Sequence, residues 1–521
     1  MQRLHSPQEA ARWLHQRVSG RLCTDSRQVQ AGDAFLAWPG ARHDARRFVP
    51  EVLSRGASAC LVEEGDWAGW DDPAVHARSS DVAGYANLKA ASGPIAAAYF
   101  EHPSEAMDVL AVTGTNGKTS TAWWLAQALT RLGRRCAVAG TLGLGEIEQD
   151  AQARAVVQGV DTGLTTPDAV LWQASLRTLA DRGVQACAVE ASSIGLAEHR
   201  LDGTRIRAAI FTNLTQDHLD YHGDMAAYWQ AKRVLFEDQD LSVAVINVDD
   251  ASGRALQQQL SGRQTREGRP LDVWTCSSLG PARLWARDIQ YAQAMPATNE
   301  TSGAAGLSFD IVEDGQSVRM HTSLIGLYNV NNLLGVVATL RALGYTLEQS
   351  ARVCMDLWPV PGRLQVVSQP GEPLVVVDYA HTPDALAQVL QALEPLAQLR
   401  GGALVCVVGC GGDRDAGKRA LMARAAEQHA DRLVFTSDNP RSESPLAIID
   451  AMRDGLVNKT AARIDVDRAQ AIAHAVTLAG SGDVVLIAGK GHESYQEVAG
   501  IRHPFSDELQ ARDALKLRRA A

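Results

Sequence analysis

Short apolar runs alternate with amphipathic stretches along most of this chain. Runs rich in Val, Ile, Leu and Ala predict buried strands, and the helical periodicity between most of them predicts helices. Strands that alternate with helices are typical of βαβ units around a parallel sheet, so the pattern predicts an α/β protein. The predicted strands lie at 109–113, 136–140, 186–190, 208–213 and 243–248, and further on at 374–378, 403–409, 432–436 and 483–488.

Two proline-containing joints divide the chain. The stretch "FEHPSEAMDVLAVTG" leaves a helix through His102-Pro103-Ser104 and enters a strand. The stretch "LWPVPGRLQVV" follows a helix that ends near Trp358 and places two prolines and a glycine before the next strand. The predicted domains are 1–104, 105–358 and 359–521.

Two other stretches have local patterns of their own. The N-terminal "MQRLHSPQEAARWLHQRVSG" has the pattern of an amphipathic polar helix without an apolar signal core. The stretch 251–305 is rich in Gln, Ser, Thr, Gly and Asn, and predicts exposed loops and edge strands. The first domain otherwise mixes helices with short strands, in "DAFLAW" and "ASACLVEE".

The composition narrows the class of protein. The 521 residues are 46% hydrophobic and 21% charged, which provides for several cores at roughly 150 residues per domain. The net charge of −10 argues against nucleic-acid binding, because such proteins are more often basic. Eight cysteines without a CxxC pair favour reduced thiols over a disulfide or zinc framework. No apolar run approaches the roughly 18 residues of a membrane span, so we expect a cytoplasmic protein with no membrane insertion.

The stretch "AVTGTNGKTST", residues 111–121, has the features of a phosphate-binding loop. It lies between the predicted strand "MDVLAVTG" and the predicted helix "KTSTAWWLAQALTRLG", which is the context that such loops require. Val112 replaces the first glycine of the usual pattern, but Gly114 and Gly117 still allow backbone N–H groups to face an anion. Lys118 supplies a charge for the phosphates, and the Thr119 hydroxyl can bind Mg²⁺. The loop predicts a nucleotide ligand, but it does not distinguish a kinase, a motor, a switch and a ligase.

Acidic and histidine side chains follow two other predicted strands. "ACAVEASS" ends a strand with Glu190, and "AAIFTNLTQDHLDYHGDM" carries Asp217, His218 and Asp220 after another. The carboxyl ends of parallel strands gather around a ligand crevice, where these groups can hold Mg²⁺ between ATP phosphates and an acceptor. The alternative is that Glu190 caps a helix and His218 packs. Lys232, in "YWQAKRVLF", taken alone predicts a solvent-exposed helix lysine.

Motifs that occur in one order along the chain make this sequence resemble the Mur ligases, the ATP-dependent amide-forming enzymes of peptidoglycan precursor synthesis. The resemblance implies a central ATPase domain with a mostly parallel P-loop-type sheet. It also implies an N-terminal α/β domain for a UDP-sugar and a C-terminal Rossmann-like domain for an amino acid. "TDSR" near the start, with "GDRDAGKR", "DNPR" and "GKGHE" near the end, extends the resemblance to all three domains. The central motifs are "TGTNGKTS" (113–120), "VEASS" (189–193), "TNLTQDHLDYHG" (212–223), "GLYNVNN" (326–332), "PGRLQ" (361–365) and "DYAHTPDAL" (378–386).

"SDNPRSE", residues 437–443, resembles the amino-acid signature of the family branch that adds the third residue of the stem peptide. Meso-diaminopimelate carries a second carboxylate that lysine lacks, and the guanidinium of Arg441 can bind it bidentately. By similarity, Arg414, Gly489 and Glu493 complete this pocket, and Glu493 suits an ammonium group. The alternative is that the stretch is a polar turn after a strand. The residues of the signature itself are Asp438, Asn439, Pro440 and Arg441.

The resemblance also assigns roles to single residues. Lys232 matches a lysine that is carbamylated, which turns a cation into an anion that supports a Mg²⁺ ligand. The implied metal set is Thr119, Glu190, His218 and the carbamate of Lys232, and the implied catalytic set is Lys118, Lys232, His218 and Glu190. The implied ATP contacts are Gly114, Thr115, Asn116, Gly117, Lys118, Thr119, Ser120, Asn329, Arg363 and Asp378. The implied contacts to the UDP-sugar peptide are Ser26, Thr165, Thr166, Ser192, Glu198 and Arg200.

The sequence departs from the family pattern in the first two domains. Ile194-Gly195 replaces a commoner His-Ala, and Glu198 stands where a Gln often contacts substrate. The loop "GARHDARRF" lacks the His-Gln-Ala found in some relatives after the glycine, at residues 41–43. These departures concern the contacts to the nucleotide sugar and leave the residues of the phosphate loop unchanged.

The resemblance implies a ligation in two steps with ATP and Mg²⁺. The enzyme would join meso-diaminopimelate to UDP-MurNAc-L-Ala-D-Glu through an acyl phosphate, and would release ADP and phosphate. We expect a monomer, with hinges near 103–105 and 359–362 that allow the domains to close.

Other functions remain open at this point. Within the family they are a lysine-adding synthetase, the ligase for the terminal dipeptide and folylpolyglutamate synthetase. Outside it they are a P-loop kinase and a nucleotide-switched binding module. Arg441 argues against lysine as the substrate, and the 414–441–493 set argues against a switch, which needs no amino-acid pocket.

Overall fold

The computed structural model describes residues 2–40, 43–149, 155–237, 241–292 and 305–520. By its internal contacts the chain forms two compact units. The first comprises Met1–Glu148 and Val157–Thr275, and the second comprises Gln149–Val156 and Cys276–Ala521. The strands form separate sheets in the N-terminal, central and C-terminal parts of the chain, which confirms the α/β class. The three predicted domain boundaries stay a prediction.

The first unit begins with a small parallel sheet in the order β1-β5-β4-β3-β2. The expected helix over the first residues is wrong at its start, because Gln2–Leu4 pairs with a distant strand. The helix begins only after Ser6, whose hydroxyl accepts a hydrogen bond from the N–H of Glu9, and Pro7 favours that start. The elements are β1 (Gln2–Leu4), α1 (Pro7–His15), β2 (Leu22–Cys23), β3 (Ala34–Ala37), α2 (Val49–Ser54), β4 (Ala59–Glu63), α3 (Pro73–Ala77), β5 (Val82–Tyr85) and α4 (Leu88–Tyr99).

The same unit contains a larger sheet in which five neighbouring strands, in the order β12-β11-β6-β10-β7, are parallel. The strand β8 runs antiparallel to β7. Each parallel strand is almost wholly buried, which explains why the sequence shows continuous apolar runs here. The elements from Asp108 to Ser277, of which the end of β8, the start of β9 and the end of β13 fall in the second unit, are β6 (Asp108–Thr113), α5 (Lys118–Arg131), β7 (Cys136–Gly140), β8 (Gly143–Gln149), β9 (Ala155–Val160), α6 (Ala169–Asp181), β10 (Ala186–Glu190), α7 (Ser193–Ala197), β11 (Ile206–Phe211), α8 (Leu219–His222), α9 (Met225–Glu237), β12 (Val243–Asn247), α10 (Ala251–Leu260) and β13 (Asp272–Ser277).

The expectation of loops and edge strands over 251–305 is wrong in its first part. Residues Ala251–Leu260 form the helix α10, because Asp250 caps it by accepting from the N–H groups of Ser252 and Gly253. The polar composition hid two buried leucines, Leu256 and Leu260, on one face of this helix. Residues 293–304 of the stretch lie outside the described residues.

The second unit holds an antiparallel group, β14 to β16, and a six-stranded sheet in the order β17-β18-β22-β19-β20-β21. All strands of the six-stranded sheet are parallel except β17 at one edge. Apolar clusters cover both of its faces. The elements are β14 (Leu284–Ala292), β15 (Gly306–Glu313), β16 (Gln316–Thr322), α11 (Tyr328–Ala342), α12 (Leu347–Met355), β17 (Gln365–Val366), β18 (Leu374–Asp378), α13 (Pro383–Arg400), β19 (Leu404–Val408), α14 (Gly417–His429), β20 (Arg432–Phe435), α15 (Pro445–Arg453), β21 (Ala462–Ile464), α16 (Arg468–Leu478), β22 (Val484–Ala488), β23 (Tyr495–Val498), β24 (Ile501–Pro504) and α17 (Asp507–Ala520).

Two general features bear on the predictions from composition. All eight cysteines are unpaired, and seven of them are buried. Within the described part of the chain, no helix is both long enough and apolar enough to cross a membrane.

Candidate active site

The predicted phosphate-binding loop lies between β6 and α5, as the sequence predicts. Gly117 has a φ of 86° and immediately precedes α5, so the first N–H groups of this helix lie at the end of the loop. Gly114 has a φ of 146°, and a Cβ placed there would collide with the hydroxyl of Thr212. Glycine is therefore required at 114 for two reasons, its backbone conformation and the close approach of a neighbouring chain segment.

The segment after β11 holds the loop in place. The Thr212 hydroxyl donates to the carbonyl of Asn116 at 2.6 Å, and the Asn213 side chain accepts from the Asn116 N–H at 2.9 Å. The Thr115 N–H donates to the carbonyl of Asn213, and the Thr115 hydroxyl to that of Thr215. The sequence did not assign a role to Thr212, Asn213 or Thr215, although Thr212 and Asn213 stand at the end of a strand that neighbours β6.

Glu190 is buried beside the loop. Its Oε2 accepts from the hydroxyl of Thr119 at 2.8 Å, and its Oε1 accepts from the N–H of Thr141 at 2.8 Å. The side chain is 1% exposed, and these two contacts join it to the first turn of α5 and to the residue after β7. A buried carboxylate held by hydrogen bonds stays in one orientation. Thr141 is a further residue of the site that the sequence did not identify.

Lys232 is not solvent-exposed, contrary to its reading in isolation. It is 1% exposed, and its ammonium donates to the carbonyl of Gly114 at 2.7 Å. The ring of Tyr228 lies below it, with 4.5 Å between Nζ and the ring centroid. Burial, and secondarily the charge of Lys118, lower the pKa of Lys232 well below its usual value. The spacing of residues along a helix does not show that a lysine such as Lys232 is buried beside the predicted nucleotide site.

Lys118 and His218 lie in the same unit but differ in their surroundings. Lys118 Nζ donates to two carbonyls of the loop, Gly114 at 3.1 Å and Thr115 at 2.8 Å. His218 is in the left-handed backbone region, its ring is 43% exposed, and its Nε2 lies 3.5 Å from Asp217 Oδ2. Ser120 is buried in the first turn of α5.

The described residues fit a Mg²⁺ ion in part. No three of their His, Cys, Asp or Glu side chains converge closely enough to hold a metal ion by themselves. Thr119 and Glu190 nevertheless offer two adjacent oxygen donors beside the phosphate loop, and Mg²⁺ takes such hard ligands together with phosphate oxygens and water. The role of His218 and of a carbamate on Lys232 in that set stays a prediction.

Four of the residues predicted to contact the UDP-sugar peptide form one hydrogen-bonded group. The Thr166 hydroxyl donates to the Glu190 carbonyl at 2.6 Å and lies 2.9 Å from the hydroxyl of Ser192. Arg200 donates to the carbonyl of Thr166 at 3.0 Å, and Thr165 lies 3.3 Å from the hydroxyl of Thr141. This group adjoins Glu190 through the Thr166 bond.

Two further members of the predicted set have other hydrogen-bond partners. Ser26 begins a short 3₁₀ helix, and its carbonyl accepts from Arg55. Glu198, which departs from the family pattern, forms an ion pair with Lys89 at 2.7 Å and accepts from the hydroxyl of Tyr221. These partners lower the pKa of Glu198 although burial alone would raise it. The contacts of residues 41 and 42 lie outside the described residues, whereas His43 accepts through its carbonyl from Gly40.

The other predicted ATP contacts belong to the second unit. Asn329 is buried at the start of α11, where it donates to the carbonyl of Ile325 at 2.7 Å and accepts from Asn332 at 2.9 Å. Asp378 accepts from the N–H of Leu364 at 2.7 Å, and burial raises its pKa. Arg363 has its guanidinium carbon 4.9 Å from the centroid of the Tyr379 ring.

The predicted amino-acid pocket lies at the carboxyl ends of β20 and β22. Asp438 and Asn439 follow β20, and Gly489 follows β22 with a φ of 118°. A Cβ at Gly489 would lie 2.6 Å from Asp438 Oδ2, which explains the glycine. Asn439 Nδ2 donates to Glu493 Oε2 at 2.8 Å. The structure thus brings the "DNPR" and "GKGHE" motifs together.

Arg441 lies on the same loop, two residues after Asn439. Its Nη1 donates to the carbonyl of Gly412 at 2.7 Å, and its Nε lies 3.8 Å from Glu497 Oε2. A Cβ on Gly411 would lie 3.0 Å from Arg441 Nη1 and 3.8 Å from Arg414 Cγ, so the "GDRD" loop adjoins Arg441. The "GKGHE" motif after β22 also contains Lys490, which the sequence did not single out and which is fully buried beside Glu493.

Comparisons with known proteins identify the family of the chain. The Mur ligase middle domain matches residues 112–340, and the Mur ligase glutamate ligase domain matches residues 362–491. A protein of Acidovorax sp. (strain JS42) named UDP-N-acetylmuramoyl-L-alanyl-D-glutamate--2,6-diaminopimelate ligase is 53% identical over 98% of this chain and 97% of its own.

Solved structures extend the likeness. A structure of a ligase with that same name is 34% identical, covers 96% of this chain and 95% of its own, and has a TM-score of 0.65. A MurF ligase from Thermotoga maritima in complex with ADP is 17% identical, covers 96% and 98%, and has a TM-score of 0.59. At that identity it supports the fold alone.

The chain belongs to the Mur ligase family. This relationship confirms the class of enzyme predicted from the sequence, an ATP-dependent ligase. It also confirms the predicted family branch, because the relative from Acidovorax carries the name of a diaminopimelate-adding ligase.

Proposed function

We propose that the protein joins meso-2,6-diaminopimelate to UDP-MurNAc-L-Ala-D-Glu with hydrolysis of ATP to ADP and phosphate, in peptidoglycan precursor synthesis. The observation that carries this proposal is that the loops after β20 and β22 meet and carry a guanidinium and a carboxylate. Asn439, two residues before Arg441, donates a hydrogen bond to Glu493. A guanidinium and a carboxylate together suit the carboxylate and ammonium at the far end of diaminopimelate.

The first step would activate the acceptor. The γ-carboxylate of the D-glutamate residue attacks the γ-phosphate of ATP, and ADP leaves as an acyl phosphate forms. Both reactants are anions, so their approach must be compensated by positive charge. Lys118 and the N–H groups at the start of α5 supply such charge next to the phosphate loop. Mg²⁺, held by Thr119 and Glu190, would offset the charge of the phosphates.

The second step would form the amide. The amine of diaminopimelate attacks the carbonyl carbon of the acyl phosphate, the C–O bond to phosphate breaks, and inorganic phosphate leaves with the electron pair. Arg441 and Glu493 would fix the distant end of the amino acid so that the reacting amine is held in place. Water must be kept from the acyl phosphate, and the hinges predicted near 103–105 and 359–362 would serve this purpose.

A carbamate on Lys232 would support the Mg²⁺ ion that the first step uses. The buried amine has a pKa well below its usual value, and the neutral form of an amine is the form that combines with CO₂. Carbamylation places a negative charge beside Gly114, which favours a metal ion. The monomeric state and the cytoplasmic location stay predictions.

The test is release of phosphate from ATP in the presence of UDP-MurNAc-L-Ala-D-Glu, with meso-diaminopimelate and L-lysine offered in parallel. We expect turnover with diaminopimelate and little with lysine, and an amide product by mass spectrometry. A phosphorylated product without amide would indicate a kinase instead. Turnover with lysine and not with diaminopimelate would support ligase activity but contradict the assigned amino-acid substrate.

A further inference from the structure

Lys490 is a fully buried lysine at the end of β22, and its ammonium lies between two predicted substrate contacts. Nζ lies 2.7 Å from Glu493 Oε2 and 3.0 Å from Asn439 Oδ1. The ring of Tyr495 lies on another side, with its centroid 5.5 Å from Nζ. A buried ammonium is costly unless it is paired and hydrogen-bonded, so this position demands the two acceptors that it has.

These contacts fix the orientation of the Asn439 amide. Its oxygen accepts from Lys490 Nζ and from the N–H of Glu497 at 2.9 Å, and its nitrogen donates to Glu493 at 2.8 Å. The reversed amide would turn its nitrogen toward two donors. Lys490 therefore contributes to holding Asn439 in the one orientation that donates to the carboxylate.

The two oxygens of Glu493 are used differently. Oε2 accepts from both Lys490 and Asn439. Oε1 accepts no hydrogen bond from the residues that the structure describes, and the side chain is 20% exposed. One oxygen of the carboxylate is thus held by the protein, and the other is left for a cation from outside.

We propose that Lys490 is a positioning residue for the amino-acid substrate: it holds Glu493 by Oε2 and orients Asn439, so that Glu493 Oε1 receives the distant ammonium of meso-diaminopimelate. This inference rests on the proposed function, which assigns that ammonium to Glu493. It adds a residue that acts through Glu493 and does not itself contact the substrate.

Lys490 also favours the ionised form of Glu493. Burial by itself would raise the pKa of Glu493, but Lys490 first, with Asn439 and His492, brings it below the usual value. The other ionisable groups that interact with Glu493 are Asp438, Tyr379 and Arg468. Without Lys490 the effect of burial would dominate, and the carboxylate would take up a proton at a higher pH.

The experiment compares Lys490→Met with wild type by measuring kcat and KM for each of the three substrates as a function of pH. We expect the KM for meso-diaminopimelate to rise about tenfold or more, since a charge-assisted hydrogen bond is lost from its binding group. The KM values for ATP and for UDP-MurNAc-L-Ala-D-Glu should stay within about twofold. The acid limb of kcat/KM for diaminopimelate should move to higher pH. Lys459→Met is the matched control, because Lys459 pairs with Asp454 at the surface.

A second comparison is needed in case the single variant Lys490→Met does not fold. Here Lys490→Met is combined with Glu493→Gln, so that position 493 carries no negative charge that has lost its cation. This double variant is compared with Glu493→Gln alone. If Lys490 acts through Glu493, the added substitution changes the KM for diaminopimelate by less than about twofold. An equal tenfold loss in both backgrounds, or an acid limb that does not move, would overturn the inference. Failure of wild type to use diaminopimelate would instead contradict the proposed function.

Discussion

The hydroxyl of Thr119 donates a hydrogen bond of 2.8 Å to Oε2 of Glu190. This bond joins the first turn of α5 to the end of β10, so the phosphate loop and the buried carboxylate form a single site. It gives Glu190 a fixed orientation beside the place where the phosphates would lie. The carboxylate is held on its other side by the N–H of Thr141, a contact that does not depend on Thr119.

Substitution of Thr119 by Val should weaken the use of Mg²⁺. The change keeps the shape of the side chain but removes a predicted metal ligand and a partner of Glu190. We expect the Mg²⁺ concentration for half-maximal activity to rise about ten- to a hundredfold. Thr119→Ser, which keeps the hydroxyl, should stay close to wild type. An unchanged Mg²⁺ requirement in Thr119→Val would contradict the assignment.

Substitution of Gly114 by Ala should disrupt ATP binding. A Cβ at 114 would meet the Thr212 hydroxyl, which holds the carbonyl of Asn116. Gly133→Ala is the matched control, because Gly133 also has a positive φ, 84°, but has no atom within 4 Å of the added Cβ. The control should lose about 1 kcal/mol of stability and keep its KM for ATP. For Gly114→Ala we expect a larger loss of stability, measured by urea unfolding, and a higher KM for ATP, measured by ATP titration. Equal KM values for ATP in the two variants would contradict this prediction.

The parts of the fold that the sequence predicts best are buried on both faces. Residues Cys136–Gly140, Ala186–Glu190 and Leu374–Asp378 are strands with the predicted bounds, because continuous apolar runs occur only where helices cover both sides of a sheet. The helix Ala251–Leu260 was missed because its exposed polar residues outnumber the buried leucines. The amino-acid composition of this stretch reflects the exposed face of the helix, and the buried face contributes too few residues to change it.

The candidate site also has parts that the sequence predicts and parts that it does not. The loop at Gly114–Thr119 is readable because its chemistry lies within a few adjacent residues. The sequence does not predict the burial of Lys232 or the partners of Glu198, because both depend on contacts between residues far apart in the sequence. A helical lysine gives the same local pattern whether it faces water or the carbonyl of Gly114.

Replacement of Lys232 by Arg should abolish most of the activity. A guanidinium keeps its positive charge and does not form a carbamate, so the position could not become an anion. We expect kcat to fall at least about a hundredfold. Wild type in CO₂-depleted buffer should lose activity and regain it on addition of bicarbonate, and intact mass measurement should detect the mass of one CO₂. If wild-type activity is indifferent to bicarbonate, the carbamate has no role.

Replacement of Arg441 by Lys should weaken selection of diaminopimelate. Lysine keeps the charge but loses the planar pair of donors, and it is not expected to retain the bond from Nη1 to the Gly412 carbonyl. We expect the KM for meso-diaminopimelate to rise about ten- to a hundredfold, with little change in the KM for ATP. Arg502→Lys, on the neighbouring hairpin over the Tyr495 ring, is the control. Equal effects of the two substitutions would contradict a specific role for Arg441.

Replacement of Glu198 by Gln should lower stability in a pH-dependent way. Glu198 pairs with the half-buried Lys89, and its pKa in the folded protein lies below the ordinary value of 4.5. Its contribution is therefore present above about 4.5, where the unfolded chain is also ionised, and is lost as the pH falls through the lower folded value.

At neutral pH we expect Glu198→Gln to cost up to about 1 kcal/mol in urea unfolding, the magnitude of a partly exposed ion pair. The difference from wild type should shrink toward zero as the pH falls below 4.5. Glu348→Gln, which removes the exposed pair with Arg352, should show little loss at either pH. A Glu198→Gln effect that is constant across this range would mean that the side chain acts by packing, and that its charge contributes nothing to the stability of the fold.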